Sequence, residues 1–131
     1  MVLLAGKRSK YSRCYDRVAL QEIEPFFDIV RAGDRTWDHP EHGRIKLGSK
    51  RYQVFMQSTT CSECGIQARY FAIEKFPDHQ RYHLNLYAVD DEGFEVLMTR
   101  DHIVARANGG PDTLENQQTM CTICNVAKGD K

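Results

Sequence analysis

Residues 100–130 read RDHIVARANGGPDTLENQQTMCTICNVAKGD, and they decide how the chain is read. Asp101 and His102 close an apolar, strand-like run, and Gly109-Gly110-Pro111 makes a loop. Asn116 follows His102 by fourteen residues, and Asn125 comes nine residues later, directly after the pair Cys121/Cys124. Lys128 stands three residues past Asn125, on the same face of any helix formed there. An acidic residue, an imidazole, two amides and a lysine are thus interlaced with one half of a metal knuckle.

The other half lies upstream. Cys61 and Cys64 repeat the C-x-x-C spacing, and only Cys14 of the five cysteines falls outside the two pairs. Two such knuckles supply four thiolates, a closed tetrahedral set that suits a structural zinc ion. Four sulfurs leave no open coordination position, so Cys61, Cys64, Cys121 and Cys124 are expected to hold Zn2+ for the fold and not for chemistry. The 56 residues between Cys64 and Cys121 exceed the span of a simple zinc ribbon, so a substantial structure is expected between the knuckles.

At 131 residues the chain can bury one core. Hydrophobic residues make up 41% and charged residues 27%, within the globular range. No apolar run approaches the roughly 18 residues of a membrane helix. The opening MVLLAGKRSK has too short an apolar stretch for a signal peptide, so no membrane and a cytoplasmic setting, bacterial or phage-infected, are the expectation.

Net charge is zero, which excludes a uniformly basic nucleic-acid binder, but the distribution is uneven. Residues 1–52 hold 11 Lys and Arg against 7 Asp and Glu, whereas residues 53–131 hold 7 against 11. Lys7, Arg8, Lys10, Arg13 and Arg17 form a basic arm with Tyr11 and Tyr15 interleaved, a composition that could follow a phosphate backbone.

Along the chain, residues 18–30 show helical spacing interrupted by Pro25, with Gly33 ending the segment. The stretch WDHPEHG, residues 37–43, reads as a turn-rich link. Residues 44–56 alternate around Gly48-Ser49 and predict a hairpin. Three strands are predicted over residues 69–76, 82–89 and 94–104, with the turn between the last two at residues 90–93. A short helix is predicted at the end. The class is α+β, with residues 1–60 as an N-terminal extension (basic arm, helix, hairpin) and 61–131 as the zinc-stabilised unit.

Taken together, D-H-I, the Gly-Gly loop, E-N, C-x-x-C-N and K-G over residues 61–131 resemble the HNH endonucleases, the ββα-metal nuclease fold, in a zinc-containing form. The third motif position, His or Asn in that family, is Asn125 here. The resemblance implies an endodeoxyribonuclease. Asp101 and Asn125 would hold the catalytic divalent ion, His102 would activate water, Asn116 would fix the hairpin, and Lys128 would reach a phosphate. It further implies 5′-phosphate and 3′-hydroxyl ends, with one strand nicked per active site and double-strand cleavage by a dimer.

The chemistry agrees on its own terms. Phosphodiester hydrolysis needs a base, a cation on the phosphate and help for the departing oxygen. His102 is the candidate base, because imidazole is the side chain suited to general base catalysis near neutral pH, and oxygen ligands such as Asp101 and Asn125 suit Mg2+ or Mn2+. Arg106, Arg100 and Lys75 are candidate DNA-backbone contacts. The pairs His39/His42 and His79/His83 are read as surface histidines, although His83 could face DNA. Competing expectations are a catalytically silent zinc-stabilised DNA-binding module, and a nuclease subunit of a larger phage-packaging or restriction complex.

Overall fold

The computed structural model describes residues 3–9 and 16–129. Five strands form one antiparallel sheet, and three helices and a separate hairpin surround it. Strand β1 (Asp16–Gln21) leads into helix α1 (Ile23–Arg31). The hairpin β2 (Thr36–His39) and β3 (Gly43–Lys46) follows, then helix α2 (Lys50–Gln57), β4 (Ala68–Lys75), β5 (His83–Val89), β6 (Glu95–His102), β7 (Gln117–Cys121) and helix α3 (Thr122–Lys128). The sheet order is β1-β4-β5-β6-β7.

The three predicted middle strands are β4, β5 and β6, and the turn at residues 90–93 is closed by the Gly93 N–H on the Asp90 carbonyl at 3.0 Å. The Asp90 carboxylate reinforces it by accepting from the Glu92 and Phe94 N–H groups.

The N-terminal expectations need correction. Residues 16–21 are a strand, and the helix starts only at Ile23. Pro25 sits in its first turn, where a missing N–H costs little. No hairpin turns at Gly48-Ser49. Ser49 caps α2, its hydroxyl accepting from the Arg51 N–H at 3.2 Å, so the serine is a helix start signal. The hairpin lies one segment earlier, with its turn inside WDHPEHG and Trp37 opposite Ile45.

Helices α1 and α2 cover one face of the sheet. Their apolar sides meet it around Phe71, fully buried, whose ring lies 4.9 Å from Phe26, 5.7 Å from Phe27 and 6.3 Å from both Tyr52 and Phe55. Truncating such an aromatic hub to alanine costs about 3–5 kcal/mol. Strand β1 and both early helices therefore belong to the same sheet and core as the strands after the first cysteine pair.

The other face is polar at its centre. Glu74 and Glu95, both buried, receive Arg17 at 2.9 Å each, and Arg8 adds a 3.0 Å contact to Glu74. Tyr87 donates to Glu74 at 2.6 Å and Tyr70 donates to Glu95. Lys7 lies 4.4 Å over the Phe94 ring. Three cations of the expected basic arm are thus engaged within the protein, whereas Lys10, Tyr11, Arg13, Cys14 and Tyr15 lie outside the described residues. Among the described residues no helix is long and apolar enough to cross a membrane.

Candidate functional site

The first knuckle is a tight turn. Gly65, with φ of 80°, takes the left-handed conformation directly after Cys64 and returns its N–H to the Cys61 carbonyl at 3.0 Å. The turn docks on β7, where the Ser62 N–H meets the Thr119 carbonyl at 2.9 Å. The second knuckle joins β7 to α3: Cys121 ends the strand and caps the helix, its sulfur accepting from the Cys124 N–H at 3.5 Å.

All four sulfurs lie within 4.8 Å of one another, and Cys64 Sγ is 3.9 Å from Cys121 Sγ. Tetrahedral zinc with bonds near 2.3 Å sets sulfur separations of about 3.8 Å. The four thiols are spaced compatibly with a zinc ion. Burial opposes ionisation of Cys61, but N–H groups of Cys121, Cys64 and Glu63 outweigh it and pull the thiol down to about 6. Burial, then its hydrogen bonds to the other sulfurs, pushes Cys124 up. Four uncompensated thiolates repel, and a dication relieves that repulsion.

Beyond the knuckle, α3 lies on β6 and β7. Asn125 donates Nδ2 to Thr99 Oγ1 at 2.8 Å, and Thr99 in turn donates to the Met120 carbonyl at 2.7 Å. Lys128 Nζ reaches Asp101 Oδ2 at 2.6 Å and the His102 carbonyl at 2.7 Å. Thr99 and Asp101 are alternate residues on one face of β6, so two contacts one helical turn apart fasten α3 along the strand. Gln118, directly across from Asp101, adds a 3.0 Å hydrogen bond to the same carboxylate oxygen.

His102 belongs to the opposite face of β6, with Arg100 and Gln117. Its Nε2 is 3.1 Å from Asp112 Oδ1. Arg100 donates to Gln117 Oε1 at 3.1 Å. The loop between the strands is set by Asn116, a buried residue whose Oδ1 accepts from the Val104 N–H at 2.9 Å. Its Nδ2 donates to the Val104 carbonyl at 3.0 Å and the Pro111 carbonyl at 2.8 Å. The chain folds back so closely that a Cβ on Gly110 would lie 1.7 Å from the Val104 carbonyl oxygen, so only glycine fits.

The elements run in the order strand, looped return, strand, then a helix bearing Asn125 and Lys128. Residues 90–131 match the HNH endonuclease family model. That span holds β6, β7 and α3, and with them Asp101, His102, Asn116, Asn125 and Lys128; the first cysteine pair lies outside it. The HNH match points to a nuclease-type function. Neither a curated protein nor a solved structure matches the chain.

Two residues beside His102 escaped the sequence reading. Asp112 followed a Gly-Gly-Pro turn and looked like loop. Lys50 lies on α2, outside the HNH-matched span, yet its Nζ donates to the Asp112 carbonyl at 2.8 Å. Arg106, an expected backbone contact, lies 3.6 Å from Asp112 as well.

The remaining histidines lie elsewhere. His39 and His42 stack at 4.6 Å, and His79 and His83 flank Phe76 at 5.0 and 6.4 Å. Among the described residues the group of three or more metal-ligating side chains is the cysteine set alone. Lys75 donates to the His79 carbonyl at 3.1 Å.

Proposed function

We propose that the protein is a metal-dependent HNH endonuclease that hydrolyses DNA phosphodiester bonds, with residues 61–131 as the nuclease unit and residues 1–60 helping to grip the substrate. The observation that carries this reading is the fastening of α3 to β6, Asn125 on Thr99 and Lys128 on Asp101, at the strand that ends in His102. It supports Asp101, Asn125 and Lys128 acting together, with His102 next to them at the strand end and held by Lys128 through its carbonyl.

The donors suit Mg2+ or Mn2+. Asp101 offers a carboxylate oxygen, and the bond to Thr99 uses the Asn125 amide nitrogen and leaves its oxygen for a cation. When bound, the ion stabilises charge on the phosphate and the departing oxygen. His102 accepts the proton of the attacking water. Asp112 can only accept a hydrogen bond, so the proton of the imidazole resides on Nε2 and the lone pair on Nδ1, which is then the basic atom. Asn116 holds the loop behind the imidazole, and Lys128 is within reach of the strand end for a phosphate oxygen. Structural zinc keeps the short α3 in place.

A monomer nicks and a dimer cuts both strands. Supercoiled plasmid incubated with purified protein and Mg2+ or Mn2+ should become nicked or linear, with 5′-phosphate ends. Unchanged cleavage after Mg2+ is withdrawn, with zinc retained, would contradict the metal assignment.

The silent-module reading draws on the same contact, since Lys128 pairs with the Asp101 carboxylate at 2.6 Å. Plasmid left intact at every divalent-ion concentration, by protein that still binds duplex, would favour it.

A further inference from the structure

Lys50 and Arg106 come from distant parts of the chain and converge on one oxygen of one exposed carboxylate. Lys50 Nζ lies 3.5 Å and Arg106 Nη2 3.6 Å from Asp112 Oδ2, while Asp112 Oδ1 stays on His102 at 3.1 Å. Charge-assisted contacts close to about 2.7–2.9 Å when they are tight. Neither cation is that close to the carboxylate, although Lys50 Nζ also donates to the Asp112 backbone carbonyl at 2.8 Å. Both side chains are half exposed or more, at 50% and 68%, so they can turn to a second anion without uncovering a buried charge.

We propose that Lys50 and Arg106 form an anion site for a backbone phosphate of the bound nucleic acid, next to the one cleaved, and that Asp112 Oδ2 holds the site in the free protein. This rests on the nuclease reading, because it is the neighbourhood of His102 that makes a phosphodiester the expected anion. Two positive groups from α2 and from the loop after β6 then grip the strand on the imidazole side, opposite the face that carries Asp101 and Lys128. The grip on DNA would thereby include a residue outside the HNH-matched span.

The test is equilibrium binding of a labelled duplex across a salt series, with no divalent ion added so that nothing is cut. Each phosphate contact contributes about 0.9 to the slope of log K against log salt. Lys50→Gln and Arg106→Gln should each lower that slope by about 0.9 and weaken binding. Lys50→Arg should restore it, which separates charge from folding. Asp112→Asn, which removes the competing charge, should tighten binding several-fold. Salt-dependent binding by the wild type with an unchanged slope in both glutamine variants would overturn the anion site alone, as would weakened binding in Asp112→Asn. A wild type whose affinity ignores salt would sink the nuclease reading along with it.

Discussion

The ammonium of Lys128 lies 2.6 Å from the carboxylate of Asp101, with both side chains largely buried, at 19% and 8% exposed. A lysine on the last helix therefore occupies the carboxylate proposed to take the divalent ion. Removing the ammonium leaves Asp101 with Gln118 as its side-chain donor among the described residues. Lys128→Met should lower the stability of the metal-free protein by about 2–3 kcal/mol. Added Mn2+ should then stabilise the variant more than the wild type, since ligand binding to the folded state adds stability. Thermal melts with and without Mn2+ check this, and equal stabilisation of the two proteins would contradict it.

Asn116 makes three hydrogen bonds that close the loop behind His102. At about 0.5–1.5 kcal/mol each, Asn116→Ala should cost roughly 2–4 kcal/mol and leave the Val104 and Pro111 backbone groups without their side-chain partner. Amide exchange at Val104 should quicken well beyond the change seen in the core strands. Cleavage should fall with it, because the imidazole loses its backing.

Cys124→Ser should remove zinc, and with it the anchor of α3. Elemental analysis should find about one zinc per wild-type chain, the number one four-sulfur site holds. The variant should bind little, melt earlier and lose activity as a consequence of lost structure. A zinc-free variant that still melts with the wild type would show that the metal is dispensable.

Acid stability should depend on Glu74. Burial raises its carboxyl, but hydrogen bonds from Tyr87 and Asn85 and those from Arg8 and Arg17 outweigh it, so the net shift is below the ordinary 4.5. A carboxyl lowered by folding stabilises fully above its unfolded value and loses that contribution as pH falls through the folded one. Urea midpoints measured from pH 7 to pH 3 should fall below about pH 4.5 in the wild type, and fall less in Glu74→Gln. Parallel curves would contradict the assignment.

The strands β4, β5 and β6 were legible because their residues alternate or run apolar between clear turns, and the knuckles because two C-x-x-C spacings coincide. Helix α2 was not: Gly48-Ser49 serves as a hairpin signal and as a helix start, and only packing of Tyr52 and Phe55 on the sheet decides between them. Residues 18–21 continue the helical spacing read over residues 18–30, and pairing with β4 overrides it. Of the proposed site residues, Asp101, His102, Asn116, Asn125 and Lys128 are named by the resemblance of residues 61–131 to the HNH motif. The partners could not, since Thr99, Asp112 and Lys50 are drawn to them by the strand register and by α2, which no local pattern encodes.

The central claim is that His102 is the base of a phosphodiester-cleaving site. Its most direct test is the rate of supercoiled-plasmid cleavage by His102→Ala beside the wild type, in Mg2+ and in Mn2+, with zinc content and melting temperature measured on the same samples. The account predicts cleavage by the wild type and none above background by the variant, at unchanged zinc and near-unchanged stability. Cleavage by the well-folded variant at the wild-type rate would contradict it.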